Sequence, residues 1–128
     1  MVVQALRDRG HVVYDFRNPE PGDTGFQWPQ CATPVQLKDP VRFRNEVLAH
    51  PIVKAAFDKD LKALAAAEAT VLVLPGGRSA HMELGWAAGF GQKTIVLLDD
   101  PLSEPELMYL VNTSVCVSLE EVFSALAN

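Results

Sequence analysis

The chain is poor in cysteine: Cys31 and Cys116 are the only two in 128 residues. They lie far apart, form no CxxC and have no metal-ligand spacing, which excludes a disulfide framework and a thiolate zinc site. Two unpaired thiols in a reducing compartment is the reading that remains. No apolar run is long enough to span a bilayer, and no charged segment followed by an apolar one marks a secretory signal. A cytoplasmic protein with no membrane partner is expected. Basic residues are also scarce, 11 against 16 acidic ones, for a formal net charge of −5. That balance argues against a nucleic-acid backbone or an anionic membrane surface as partner. There are no internal repeats and no low-complexity tracts. No His/Cys/Asp cluster has metal spacing, so neither a metal nor a cofactor is expected.

What is present is an ordinary globular composition, 48% hydrophobic, in a length that suits one compact domain over residues 1–128. Val2 to Arg9 predicts a helix, with Gly10 just past its end. His11 to Phe16 (HVVYDF) is rich in β-formers and predicts a strand. Asn18, Pro19, Pro21, Gly22, Asp23 and Gly25 are turn chemistry. The loop they open continues to about Pro40 and carries Phe26 and Trp28, which favour a packed loop. Val41 to Ala49 predicts a short helix, and Pro51 to about Ala67 a longer one. On that second helix Val53, Phe57, Asp60, Leu61 and Leu64 share one face.

Thr70 to Leu74 (TVLVL) and Thr94 to Leu98 (TIVLL) are continuous apolar runs, as in strands buried on both faces. Between them Pro75-Gly76-Gly77 predicts a turn, and Ala80 to Phe90 a helix with Ser79 as its N-cap and Gly91 at its end. Glu104 to Leu110 predicts a short helix and Ser114 to Val117 a last strand. Leu119 to Leu126 predicts a terminal helix capped by Ser118. Helices alternating with all-apolar strands mean an α/β fold of the flavodoxin-like, doubly wound kind, a parallel sheet with helices on both faces. Such a domain opens on a strand, yet the first element here is a helix. Either the first strand is missing or another segment fills its place.

In open α/β sheets, ligands bind outside the carboxyl ends of the strands. The turn after TVLVL is such a place. Gly76 and Gly77 let backbone approach a ligand, and the following helix offers free N–H groups and a positive dipole end. Glu83 lies in the first turn of that helix or just beyond. Breaking an N-glycosidic bond builds positive charge on the sugar, and a fixed carboxylate below C1′ can stabilise it or attack. The plain alternative is an acid that only complements the helix dipole. Asp60 stands out because it interrupts an apolar helix face, where a carboxylate must be paired or line a pocket. Phe16 and Trp28 flank the long loop as possible walls for a stacked base, or as core plugs. Arg78 at the helix entrance suits a phosphate or carboxylate, or a surface ion pair. Tyr14 reads as core, His81 as a surface or interface histidine, and Asp99 and Asp100 as loop caps.

The run His81-Met82-Glu83-Leu84-Gly85-Trp86-Ala87-Ala88-Gly89, followed by Gly91-Gln92-Lys93 and a strand, resembles the nucleoside 2-deoxyribosyltransferase family. Phe57-Asp58-Lys59-Asp60-Leu61, with Glu68 and TVLVL behind it, resembles a second segment of that family, and Glu106-Leu107-Met108 a third. The resemblance is strongest over Phe57 to Met108. It implies Glu83 as nucleophile and Asp60 as the aspartate that contacts the nucleobase and handles its proton. It implies Glu106 as a residue reaching the sugar 5′ end across a subunit interface. A small-molecule nucleoside as ligand and a homo-oligomer, dimer or higher, follow from it. Two departures stand against the family pattern. No strand with an aromatic hydroxyl precedes Val2, and Gly77 replaces an acidic residue, so Gly77, Arg78, Ser79 and His81 must bind ribose differently or not at all. Two other readings compete with base exchange or hydrolysis at a nucleoside. One is a nucleotide phosphoribohydrolase, from the spacing of Pro75-Gly76-Gly77 to Glu83. The other is a catalytically silent nucleoside- or nucleotide-binding module.

Overall fold

The computed structural model describes residues 2–19 and 22–128; Pro21 of the turn cluster lies outside them. The chain divides into two compact units, Met1–Val13 with Leu64–Asn128, and Tyr14–Ala63.

The first unit is built on three parallel strands, β1 (Ala69–Val73), β2 (Lys93–Leu97) and β3 (Ser114–Cys116), in the order β1-β2-β3. Thr70 pairs with Thr94, Val73 with Leu97, and Leu97 with Cys116. Alternate residues of a strand face opposite sides, and each side has its own core. On one side Leu72, Leu74 and Val96 pack with Leu84 of α5 (Arg78–Gly89) and with Tyr109. On the other, Ile95 and Cys116 pack with Leu6 of α1 (Val2–Asp8) and Val122 of α6 (Leu119–Ala127), with Val71 and Leu97 beside them. Helices therefore cover both faces of a parallel sheet, and α6 starts on Ser118, whose Oγ accepts the Glu121 N–H at 3.2 Å.

Three expectations for this unit change. The His11–Phe16 segment forms no strand: 11–15 is irregular and Val12 is fully exposed. High β-propensity gives no ladder without a neighbour to accept the backbone bonds. The TVLVL strand is an edge strand, with Val73 exposed, whereas β2 in the middle holds Thr94, Ile95 and Val96 at no more than 1% exposure. The helix expected at Glu104 is a 3-10 turn, Leu107–Val111. Pro105 disfavours helical backbone at Glu104, and Glu106 becomes the cap, its Oε2 accepting the Met108 N–H at 2.9 Å.

The second unit is made of short helical elements and most of one longer helix. A 3-10 turn (Trp28–Gln30) and α2 (Pro34–Lys38) lie inside the segment expected to be loop. Thr33 and Gln36 form a capping box at α2, with Pro34 in its first turn, a Thr-Pro-x-Gln pattern that stops an open loop from persisting. The helix expected at Val41 to Ala49 is α3 (Pro40–Arg42) running into a wider π turn, Phe43–Val47. α4 (Pro51–Ala66) has its expected length. Its apolar face is incomplete, because Phe57 is 61% exposed.

Candidate functional site

The Gly76–Gly77 turn lies at the carboxyl end of β1. Gly76 is closely packed: a Cβ there would lie 2.8 Å from Leu72 Cδ1, so the leucine would have to shift to admit one. Gly77, not Ser79, is the N-cap of α5, with extended backbone and no side-chain cap. Arg78 and Ser79 are the first two helical residues, both exposed. Their place at the helix start leaves their N–H groups without intrahelical acceptors. Glu83 is the sixth residue of α5 and so sits in its second turn, just beyond the first. It is half-buried.

The inward face of α5 is Ala80, Leu84 and Ala87. Glu83 flanks that face on one side. On the other, α5 borders a cavity of about 470 Å³ lined by His81, Gly85, Ala88, Glu106, Met108 and Tyr109, among others. That volume falls in the usual range for small-molecule sites. Residues two apart on a helix point roughly 200° apart, so Glu83 faces away from the side on which His81 and Gly85 meet this cavity. Neither Glu83 nor Asp60 lines it.

A polar cluster stands at its rim. His81 Nδ1 lies 2.8 Å from the Gly77 carbonyl, and Nε2 2.8 Å from the Tyr109 hydroxyl. A carbonyl only accepts, so the neutral ring carries its proton on Nδ1 and Nε2 accepts from Tyr109. Glu104 Oε2 is 3.4 Å from the same Nε2, and its Oε1 accepts the Gly76 N–H at 3.4 Å. The loop after β2 is thereby tied to the glycine turn after β1. Burial, with Glu104, Glu106 and Asp99 adding to it, pushes the Tyr109 hydroxyl up, so it remains a donor. Sequence reasoning missed this cluster: His81 and Tyr109 are 28 residues apart, and nothing local links them.

Asp60 belongs to the other unit. It is half-buried on α4, and its Oδ1 accepts a hydrogen bond from the Tyr14 hydroxyl at 3.3 Å. Burial raises its carboxyl above the ordinary aspartate value, while the Tyr14 bond and Lys59 pull it down. Tyr14 meets Phe16 edge-on, ring centroids 4.8 Å apart. Tyr14, expected as a core residue, thus has its ring in an aromatic pair and its hydroxyl on a carboxylate. The signal was its polar tip, since a tyrosine in an apolar run needs a partner for its hydroxyl. Trp28 packs edge-on against Phe26 (4.9 Å) and Phe43 (5.6 Å). Phe16 and Trp28 do not line the cavity beside α5. Glu106 does, and its carboxylate also caps the following 3-10 turn.

Among the described residues no group of three His, Cys, Asp or Glu is placed to hold a metal, and no helix is long and apolar enough to cross a membrane. Both cysteines are free thiols. No known family, curated protein or solved structure matches the chain.

Proposed function

We propose that the protein acts on the N-glycosidic bond of a nucleoside or deoxynucleoside, with Glu83 as nucleophile and Asp60 as proton donor. The parallel sheet is then the centre of a doubly wound, flavodoxin-like domain working as a homo-oligomer. The observation that carries the reading is the junction after β1. A tight glycine turn, packed at Gly76 against the Leu72 side chain, hands the chain to α5, whose second turn brings up the half-buried Glu83. Asp60 adds a carboxyl that burial holds toward its protonated form.

In the proposed step a Glu83 oxygen bonds to C1′ as the C1′–N bond breaks. The electron pair leaves with the base, and the Asp60 proton goes to that nitrogen. A second base or water then takes the sugar from Glu83, restoring the carboxylate, and the proton it sheds returns to Asp60. Incubation with a deoxynucleoside and a different free base gives a swapped product for transfer, or free base alone for hydrolysis. Glu83→Ala abolishes either, through several kcal/mol of lost transition-state stabilisation. A Glu83→Ala protein as active as the unmodified one overturns the assignment.

A second reading rests on the cavity beside α5, which Glu83 does not line. It favours a silent binding module: saturable nucleoside binding without turnover supports it. The phosphoribohydrolase alternative is the weaker, since Ser79-Ala80 stands where that pattern carries a Gly-Thr pair to cradle the phosphate.

A further inference from the structure

We propose that Tyr14 is a positioning residue for Asp60: its hydroxyl fixes one carboxyl oxygen and leaves the other to carry and release the proton. The inference rests on the reading of Asp60 as proton donor and extends it to a residue outside the segments that suggested it. Its basis is geometric. Tyr14 and Asp60 are 46 residues apart in sequence, yet the phenol oxygen stands 3.3 Å from Oδ1 within one compact unit.

The chemistry of the two groups fixes the roles. A phenol near neutral pH donates, and a carboxyl oxygen accepts. With Oδ1 occupied by the Tyr14 O–H, a proton on Asp60 resides on Oδ2, which can then point to a leaving nitrogen. When that proton departs, negative charge forms on a carboxylate already facing a donor, so the hydrogen bond strengthens as the reaction proceeds. The edge-on contact with Phe16 holds the Tyr14 ring independently of its hydroxyl. The other charged groups acting on this pair are Lys59 and Asp23, which bind each other at 3.3 Å. Among the influences that lower the Asp60 pKa, the Tyr14 hydroxyl bond comes first and Lys59 second. The two largest influences on the carboxyl oppose each other, with burial raising its pKa and the Tyr14 bond lowering it. The Tyr14 hydroxyl is itself raised, by burial first and by Asp60 next.

Tyr14→Phe removes the oxygen and keeps the ring. Carboxyl-carbon NMR of Asp-labelled protein, assigned with Asp60→Asn, reads the Asp60 titration directly. Its midpoint moves up in Tyr14→Phe, and the Tyr14 phenol ionises at lower pH in Asp60→Asn, as reciprocal coupling requires. In the reaction, kcat/KM falls as pH rises through the Asp60 titration. That limb moves up with the midpoint in Tyr14→Phe, and the plateau drops roughly tenfold. A merely structural tyrosine lowers the plateau and leaves the limb in place. An Asp60 midpoint unchanged in a folded Tyr14→Phe protein overturns the inference whatever the activity. A moved midpoint with no turnover by the unmodified protein overturns the N-glycoside reading and upholds the Tyr14–Asp60 bond.

Discussion

The two compact units are held by different forces. In the unit containing the sheet, β2 is sealed from both sides: Ile95 and Val96 are fully buried between the α5 core and the α1–α6 core. Between residues 14 and 63, Val47 is the one buried apolar residue among those described. That unit relies instead on local devices. The Thr33–Gln36 capping box starts α2, Asp39 caps α3 through the N–H groups of Val41 and Arg42, and edge-on aromatic contacts link Phe26, Trp28 and Phe43. Hydrophobic burial scales with area, whereas a cap contributes about 1 kcal/mol. The comparison teaches where each candidate residue stands: Glu83 on a helix anchored to a closed core, Asp60 on a helix in the lightly buried unit.

Core truncation gives the largest contrast. Ile95→Ala is expected to cost about 2–5 kcal/mol. Val47→Ala, which removes fewer buried carbons, is expected to cost about 2 kcal/mol or less. Denaturant midpoints at constant slope measure both, and equal losses would break the distinction between the units. The caps provide a smaller test. Ser118→Ala removes the acceptor for Glu121 N–H at the start of α6, and Thr33→Ala removes the acceptor for Gln36 N–H at α2. Each is expected to lose about 1 kcal/mol. Amide exchange localises the effect to the helix concerned.

The smallest effect is in pH dependence. Asp23 is held below its ordinary pKa by the Gly25 N–H and then by Lys59, Glu46 by Gln36 and then Arg42, and Asp99 by Ser103. These three contribute stability that is present above the ordinary carboxylate values and lost as pH falls through their lowered native ones. All are screened by solvent, so the acid loss is shallow. Asp60 runs the other way. Its pKa is raised in the fold, so its contribution is present below the ordinary value and lost as pH rises through the raised one. Melting temperature against pH in the unmodified protein and in Asp60→Asn separates them, because the weakly acidic slope due to Asp60 vanishes in the variant.

Where the chemistry was local, the sequence was readable. The apolar runs Thr70 to Leu74 and Thr94 to Leu98 fall, each to within one residue, on two of the three parallel strands, and Ser118 caps α6 as its position before an amphipathic stretch requires. Where a partner decided the outcome, it was not. His11 to Phe16 has strand composition without a strand to pair with, and the centre of the sheet fell to β2 because only β2 has neighbours on both sides. At α5 the helix starts at Arg78 with Gly77 as its N-cap, two residues before the serine expected there. For the site, the glycine turn and the two acids could be read as residues. The Tyr14 bond to Asp60, the His81–Tyr109–Glu104 cluster and the cavity beside α5 arise from tertiary proximity alone.

The most direct measurement is intact-mass analysis during exposure to a 2′-fluorinated nucleoside. The electron-withdrawing fluorine destabilises the oxocarbenium-like transition states of attack and release alike, so with no acceptor base added the ester, once formed, is long-lived enough to weigh. The account predicts a mass gain of one fluorosugar, mapped by peptide analysis to Glu83 and absent from Glu83→Ala. Release of base by both proteins at the same rate, with no adduct on either, would contradict it.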